Sequence, residues 1–161
     1  MSTRKQSAAA GALKGAAASL IGGLVLRAVW GAGEAMLPAD QKLPSPTDET
    51  VKRLARKRGA TLSDTQTRAA SVGVYSAVML GWGAVFGAAQ ARFDPPLFAG
   101  SALLSGWIYA LNFPKATGVL PKTGVLKPPS EQTLGQAALP VAAHAAFALA
   151  TAAAYRALDR A

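Results

Sequence analysis

The sequence predicts an all-α fold: a four-transmembrane-helix bundle, with a short basic interfacial helix in its first long loop. Three observations carry this. Charged residues make up 16% of the 161, against roughly 25% in an average soluble domain. They are absent from 69–91, 95–114 and 132–155, and a helix needs about 20 largely apolar residues to cross the hydrocarbon core. A fourth stretch, 8–37, is interrupted only by Lys14, Arg27 and Glu34. A soluble Ala-rich bundle would carry a charged stripe along each helix, and these segments have none. The whole chain, 1–161, then forms one integral membrane domain, with spans near 8–37, 67–92, 95–114 and 134–157.

The first span follows a basic start, MSTRKQSAAAGALKG. Its apolar stretch runs longer than the h-region of a signal peptide, so it reads as a retained helix. A long loop comes next. Within it, Ser45-Pro46-Thr47-Asp48 has the chemistry of a helix start and Gly59 that of a stop. The short helix between them carries Val51 and Leu54 on one edge and a basic face of Lys52, Arg53, Arg56, Lys57 and Arg58. Such a helix lies on a membrane surface, drawn to anionic lipid headgroups.

Ser63-Asp64-Thr65-Gln66 fits a capping box and opens the second span. Asp94, with Pro95 and Pro96 behind it, reads as the N-cap of the third. The connection is so short that spans two and three are expected to be antiparallel neighbours. Pro114 closes the third span. Pro140 lies near the start of the fourth, where a missing N–H is tolerated.

The run VKRLARKRG, 51–59, also invites a nucleic-acid reading, as does the formal charge of +9. No aromatic residue interleaves the run and no recognition fold is visible. Membrane topology explains it better, because Lys and Arg concentrate in short cytoplasmic loops. The two long loops hold ten basic residues: Lys42, Lys52, Arg53, Arg56, Lys57, Arg58 and Arg68 in the first, Lys115, Lys122 and Lys127 in the second. The other face holds five, namely Arg4, Lys5, Arg92, Arg156 and Arg160. Both long loops are therefore expected in the cytoplasm and both termini outside it.

The two halves, 1–92 and 93–161, echo each other. QKLPSPTDET follows the first span and VLKPPSEQT the third, each after a Leu-Pro step, Leu37-Pro38 and Leu120-Pro121. Spans two and four share Met79-x-x-Trp82 and His144-x-x-Phe147. Two spans per half imply a pseudo-two-fold axis along the membrane normal, giving two pseudo-symmetric helix pairs. Small residues favour close packing: Gly11 with Gly15, Gly83 with Gly87, the stripe Ala102, Gly106, Ala110, and the edge Ala142, Ala146, Ala150, Ala154.

The stretch RAVWGAGEAMLPADQKLPSP resembles the first helix and following loop of the YagU-like proteins, a bacterial inner-membrane family of unknown function. The wider set of related four-helix proteins has a similar order of features, into which GWGAVFGAAQ, LNFPKATGVLP and AAHAAF fall. One departure is clear: a histidine position of that pattern is Met79 here, leaving only His144. The resemblance implies a multi-pass protein of the bacterial plasma membrane and supplies no reaction.

An ionisable residue inside a span calls for a partner, a wet cavity or a function. Arg27 lies about ten residues before the loop end of its helix, hence some 15 Å deep. Helical side chains lean toward the N-terminus, which here points deeper. His144 lies at a similar depth in the fourth span, with Tyr75 and Ser105 near that level. Glu34 and Trp30 share the Arg27 face nearer the mouth. Together Arg27, Glu34, Tyr75, Ser105 and His144 sketch a polar cleft opening toward the cytoplasm. It would suit an anion, a lipid headgroup or a relayed proton. The plainer alternative is that Arg27 and His144 hydrogen-bond neighbouring helices. Trp107 and Tyr109, several residues inside the third span, read as core.

With no cysteine and one histidine, thiol chemistry and a metal site have no basis. No phosphate loop, nucleophile elbow or carboxylate pair appears. The sequence thus implies no cofactor and no enzyme. Two function classes stay open: a structural or regulatory membrane protein acting through lipids or protein partners, and a small transporter or channel. The second requires a homo-oligomer, since four helices enclose little pore.

Overall fold

Side-chain caps set most of the helix boundaries. In the computed structural model, which describes residues 7–160, Ser7 caps α1 (Ala8–Met36) by accepting from Ala10 N–H. Ser45 caps α2 (Pro46–Lys57), with proline at the first helical position. Gly59, at φ 72°, ends it through the left-handed conformation that glycine adopts without strain. Both arms of the Ser63–Gln66 capping box form at the start of α3 (Asp64–Phe93). Thr133 and Gln136 repeat that exchange at the start of α6 (Leu134–Arg160). Between them lie α4 (Leu97–Asn112), the four-residue α5 (Val119–Lys122), and a 3-10 turn at Pro129–Glu131. No strand occurs among the described residues.

Three helices, α1, α3 and α6, are long and apolar enough to cross a membrane. The fourth apolar helix, α4, has 16 residues, about 24 Å at 1.5 Å per residue. Arg4, Lys5 and the terminal Ala161, on which part of the charge count and topology rests, lie outside the described residues.

Helix α1 is central, with α3 on one flank and α6 on the other. Both run antiparallel to it. Along α3, Gly11 meets Gly87 and Gly15 meets Gly83, while Tyr75 reaches Gly23. Along α6, Lys14 pairs with Asp159 at 2.8 Å, Gly22 faces Thr151, and Gly33 faces Leu139. Both long loops therefore sit at one end of the molecule. The turn at Asp94 sits at the other, together with the start of α1 and the end of α6.

The glycine pairs explain the close α1–α3 approach. A Cβ on Gly15 would collide with the Gly83 carbonyl oxygen and lie 2.7 Å from the Gly87 Cα. The other expected stripes behave differently. Ala102, Gly106 and Ala110 are exposed, and α4 instead buries Gly100, Ser101, Leu104 and Ile108. On α6 the edge through Ala142, Ala146, Ala150 and Ala154 is at most half-buried, and the neighbouring stripe through Ala143, Phe147, Thr151 and Tyr155 fills the core.

Four further expectations need correction. Asp94 does not cap α4; it closes α3 in the left-handed conformation, φ 44°, with its N–H on the Gln90 carbonyl. Pro96 precedes the first residue of α4, and no side chain caps that helix. Although joined by a short turn, α3 and α4 touch little; α4 packs mainly on α6. Pro140 lies seven positions into α6, inside the helix. Trp107 is 59% exposed, while Tyr109 stacks on Phe113 in a second small core.

The similar loop sequences also fold differently. PSPTDET opens the 12-residue α2, whereas KPPSEQT makes one 3-10 turn and enters α6 directly. Leu37 caps α1, but Leu120 and Pro121 lie within α5, beyond the end of α4.

Candidate functional site: a cleft between α3 and α4

Because α3 and α4 meet only near their connection, where Gly100 approaches Gln90 and Phe86, they part toward the loop end. The gap is a cleft of about 800 Å³ walled by α1, α3, α4 and α6, with the first turn of α2 at its mouth. It has a floor. Ala18, Phe86, Leu104, Ala148, Ala152 and Tyr155 fill the other half of the bundle, and Phe86 and Tyr155 pack edge to face at 5.9 Å. The cleft is closed at that end.

Four of the five residues expected to share a cleft line this one: Arg27, Glu34, Tyr75 and His144. The equal depth of Arg27 and His144 follows from the α1–α6 register. Gly22 faces Phe147 and Thr151, and Gly33 faces Leu139, so position 27 falls level with position 144. Ser105 does not join them. It is half-buried on α4, whose cleft wall is Ile108 and Asn112, with Phe113 following.

Arg27 departs from expectation in one respect. It is exposed at the α1–α3 edge rather than enclosed at the base. Tyr75 is the reason. Its hydroxyl donates to the Gly23 carbonyl at 2.7 Å, filling the space between the two helices at this level. The guanidinium is left over the ring, 5.8 Å from its centroid, within cation–π range. From there it also borders a smaller groove of about 250 Å³ on the outer α1–α3 seam.

His144 is fixed by its own helix. Nδ1 lies 2.7 Å from the Pro140 carbonyl, an acceptor, so Nδ1 carries a proton and donates it there. Phe113 packs edge-on against it at 5.3 Å. The base of the cleft is otherwise apolar, with Leu26, Met79 and Ile108 all buried.

Several cleft residues are not marked as such by the sequence, Arg68, Asp48 and Ser71 among them. Arg68 reads there as a loop charge and Asp48 as part of a helix start; both line the mouth. Ser71 is 7% exposed, lines the cleft, and its hydroxyl has no hydrogen-bond partner. The signal was present: Arg68, Ser71 and Tyr75 share one face of α3 at i, i+3 and i+7. Among the described residues no group of three His, Cys, Asp or Glu side chains is placed to hold a metal.

The basic run divides. Arg53 turns inward to the second long loop, donating from Nη1 to the Thr123 carbonyl at 2.7 Å and from Nη2 to the Gly124 carbonyl at 2.6 Å. It is a clamp between loops, so it drops out of the expected lipid-binding set. Arg56, Lys57 and Arg58 are exposed, and Lys52 is partly so. The apolar edge of α2 divides as well, with Val51 buried and Leu54 47% exposed.

No protein-family model, curated protein or solved structure matches this chain. The chemistry therefore rests on the arrangement itself: a recess with an apolar base and charged groups of both signs at its mouth.

Proposed function

We propose that this is a multi-pass protein of a bacterial plasma membrane that crosses it four times, with α4 the short fourth crossing. In this reading both long loops face the cytoplasm, and the protein acts through lipids and protein partners rather than through a reaction. The YagU-like resemblance agrees with that placement. A crossing of about 24 Å is somewhat shorter than the average hydrocarbon thickness, and local bilayer thinning accommodates such a difference at modest cost.

The observation that carries the reading is the cap at the loop end. Leu43 from the first loop and Phe113, Val125 and Leu126 from the second form a buried cluster. Gln136 donates to the Gln41 carbonyl at 2.9 Å, and the Arg53 clamp joins α2 to 123–124. This fixed cap holds Arg56, Lys57 and Arg58 outward together at one end. That suits a surface that meets anionic headgroups or an acidic partner.

The cleft supports a second reading, a small transporter. Its closed floor means that a path would need another protomer or a rearrangement.

Two experiments test these readings. Reporters active on one side of the membrane, placed at the C-terminus and at Gly59, are expected to give opposite signals, with the protein resisting alkaline extraction. Equal signals would overturn the four-crossing topology, and release by alkali would overturn the membrane reading. Solute or proton flux in liposomes that Arg27→Ala alters would favour transport over a lipid-acting role.

A further inference from the structure

We propose that the α3–α4 cleft holds one glycerophospholipid with a zwitterionic, primary-ammonium headgroup, admitted sideways from the bilayer. The proposal rests on the membrane reading but not on the role given to the basic run.

Charge comes first. Arg27, Arg68, Glu34 and Asp48 all line the cleft, two cations and two anions that cancel. None of the four forms an ion pair with another described residue. An anionic ligand would meet two carboxylates, and a simple cation two guanidiniums. A phosphate joined to an ammonium matches both signs. Guanidinium groups bind phosphate through several N–H donors.

Depth comes second. On α3, Arg68, Ser71 and Tyr75 descend one face in successive turns. Ser71 follows one turn below Arg68, but its hydroxyl is closed off from the cleft space, so the Arg68 and Arg27 guanidiniums carry the phosphate. On α1, Glu34 stands two turns nearer the loops than Arg27, about 10 Å. It and Asp48 receive the ammonium, outward of the phosphate.

Shape comes third. Below the charged level the walls are apolar. Val74, Val78 and Trp82 of α3 line the gap, with Ile108 of α4 also in its wall. Val74 and Val78 are 38% and 46% exposed there. This open seam faces the hydrocarbon layer in the membrane reading, so acyl chains pass through it while the headgroup stays at the mouth. A small water-soluble solute would use none of this apolar wall.

The test uses the full chain in nanodiscs of equal phosphatidylethanolamine, phosphatidylglycerol and phosphatidylcholine, released into the gas phase for native mass spectrometry. One retained phospholipid per chain is expected, with phosphatidylethanolamine enriched about fivefold over phosphatidylglycerol, a factor that one favourable charge contact supplies. Arg68→Ala is expected to cut retention about tenfold. Glu34→Gln is expected to weaken the preference for ammonium over choline, and Glu34→Gln with Asp48→Asn to abolish it. Arg68 and Val78 are both exposed, so their variants keep the fold; Val78→Trp plugs the seam and is expected to expel the lipid. A bare protein, equal or greater retention of phosphatidylglycerol, or retention unaffected by Arg68→Ala and Val78→Trp would overturn the proposal. Failure of the membrane reading shows separately, as release by alkali.

Discussion

The carbonyl oxygen of Gly83 occupies the place where a side chain on Gly15 would begin. Two backbones touch there with nothing between them, which is how helices gain van der Waals contact where lipid removes the hydrophobic drive for association. Gly15→Ala must push α1 and α3 apart along the seam. Overpacking of this kind costs about 1–3 kcal/mol. Gly81, on the same α3, has nothing within 4 Å of the place a Cβ would take, so Gly81→Ala is expected to be neutral or to stabilise by up to about 1 kcal/mol through helix propensity. Thermal unfolding of the two variants in detergent separates them; equal losses would show that the seam is not a tight contact.

Asp94 offers a sharper backbone test. Its φ of 44° closes α3 and starts the turn into α4. Aspartate tolerates the left-handed region, and a β-branched residue does not. Asp94→Gly is expected to retain or raise stability, and Asp94→Val to lower it by about 1–2 kcal/mol. If both variants melt alike, the conformation at 94 is not the determinant of the turn.

Much of this architecture was legible in the sequence because it depends on local chemistry. The capping box at Ser63, the start at Ser45–Pro46 and the stop at Gly59 are each fixed by residues within four positions. The Gly11–Gly15 and Gly83–Gly87 spacing was legible as a close-packing pattern, but the same spacing through Gly106 led nowhere, since a bare backbone permits close approach without requiring it. The partner of α4 was not legible. A short connection fixes direction, but α4 is held by Leu104 and Ile108 against α6, and that choice depends on the whole core. The cleft was legible by depth, because register along a helix is arithmetic. The part of its mouth formed by Asp48 was not, because Asp48 is brought there by the tertiary folding of a loop. Arg53 and Arg56 look alike in a charge run, and only the position of 123–124 tells them apart.

Arg53 is the second long loop's tie to α2. Two donors of one guanidinium reach two consecutive carbonyls, a geometry a lysine cannot copy. Arg53→Ala and Arg53→Lys are both expected to loosen the 123–126 turn. The amides of Val125 and Leu126, which bond the Leu120 carbonyl, should exchange with solvent about tenfold faster, as local opening becomes easier. The α1–α3 seam is distant, so its amides should keep their protection. Unchanged exchange at 125 and 126 would show that the hydrophobic cluster alone holds the loop.

The exposed trio Arg56, Lys57 and Arg58 should behave in the opposite way. These side chains have no protein partners that fix the cap, so replacing all three with glutamine is expected to leave unfolding and the exchange at 125 and 126 unchanged. What should fall is attraction to an anionic surface. Each basic residue near such a surface contributes about 1 kcal/mol, screened within a Debye length. A peptide of 45–62 alone would lose its fold and its tether, so the measurement belongs on the intact protein: fluorescence of a dye on the cap, read in nanodiscs containing phosphatidylserine or only phosphatidylcholine. The native chain should show a dye environment that depends on lipid charge and on salt. The triple variant should lose that dependence, and Arg53→Ala should lose it only in part, through a looser cap. If the triple variant responds to anionic lipid as the native chain does, the run has no lipid-facing role and its exposure serves topology alone.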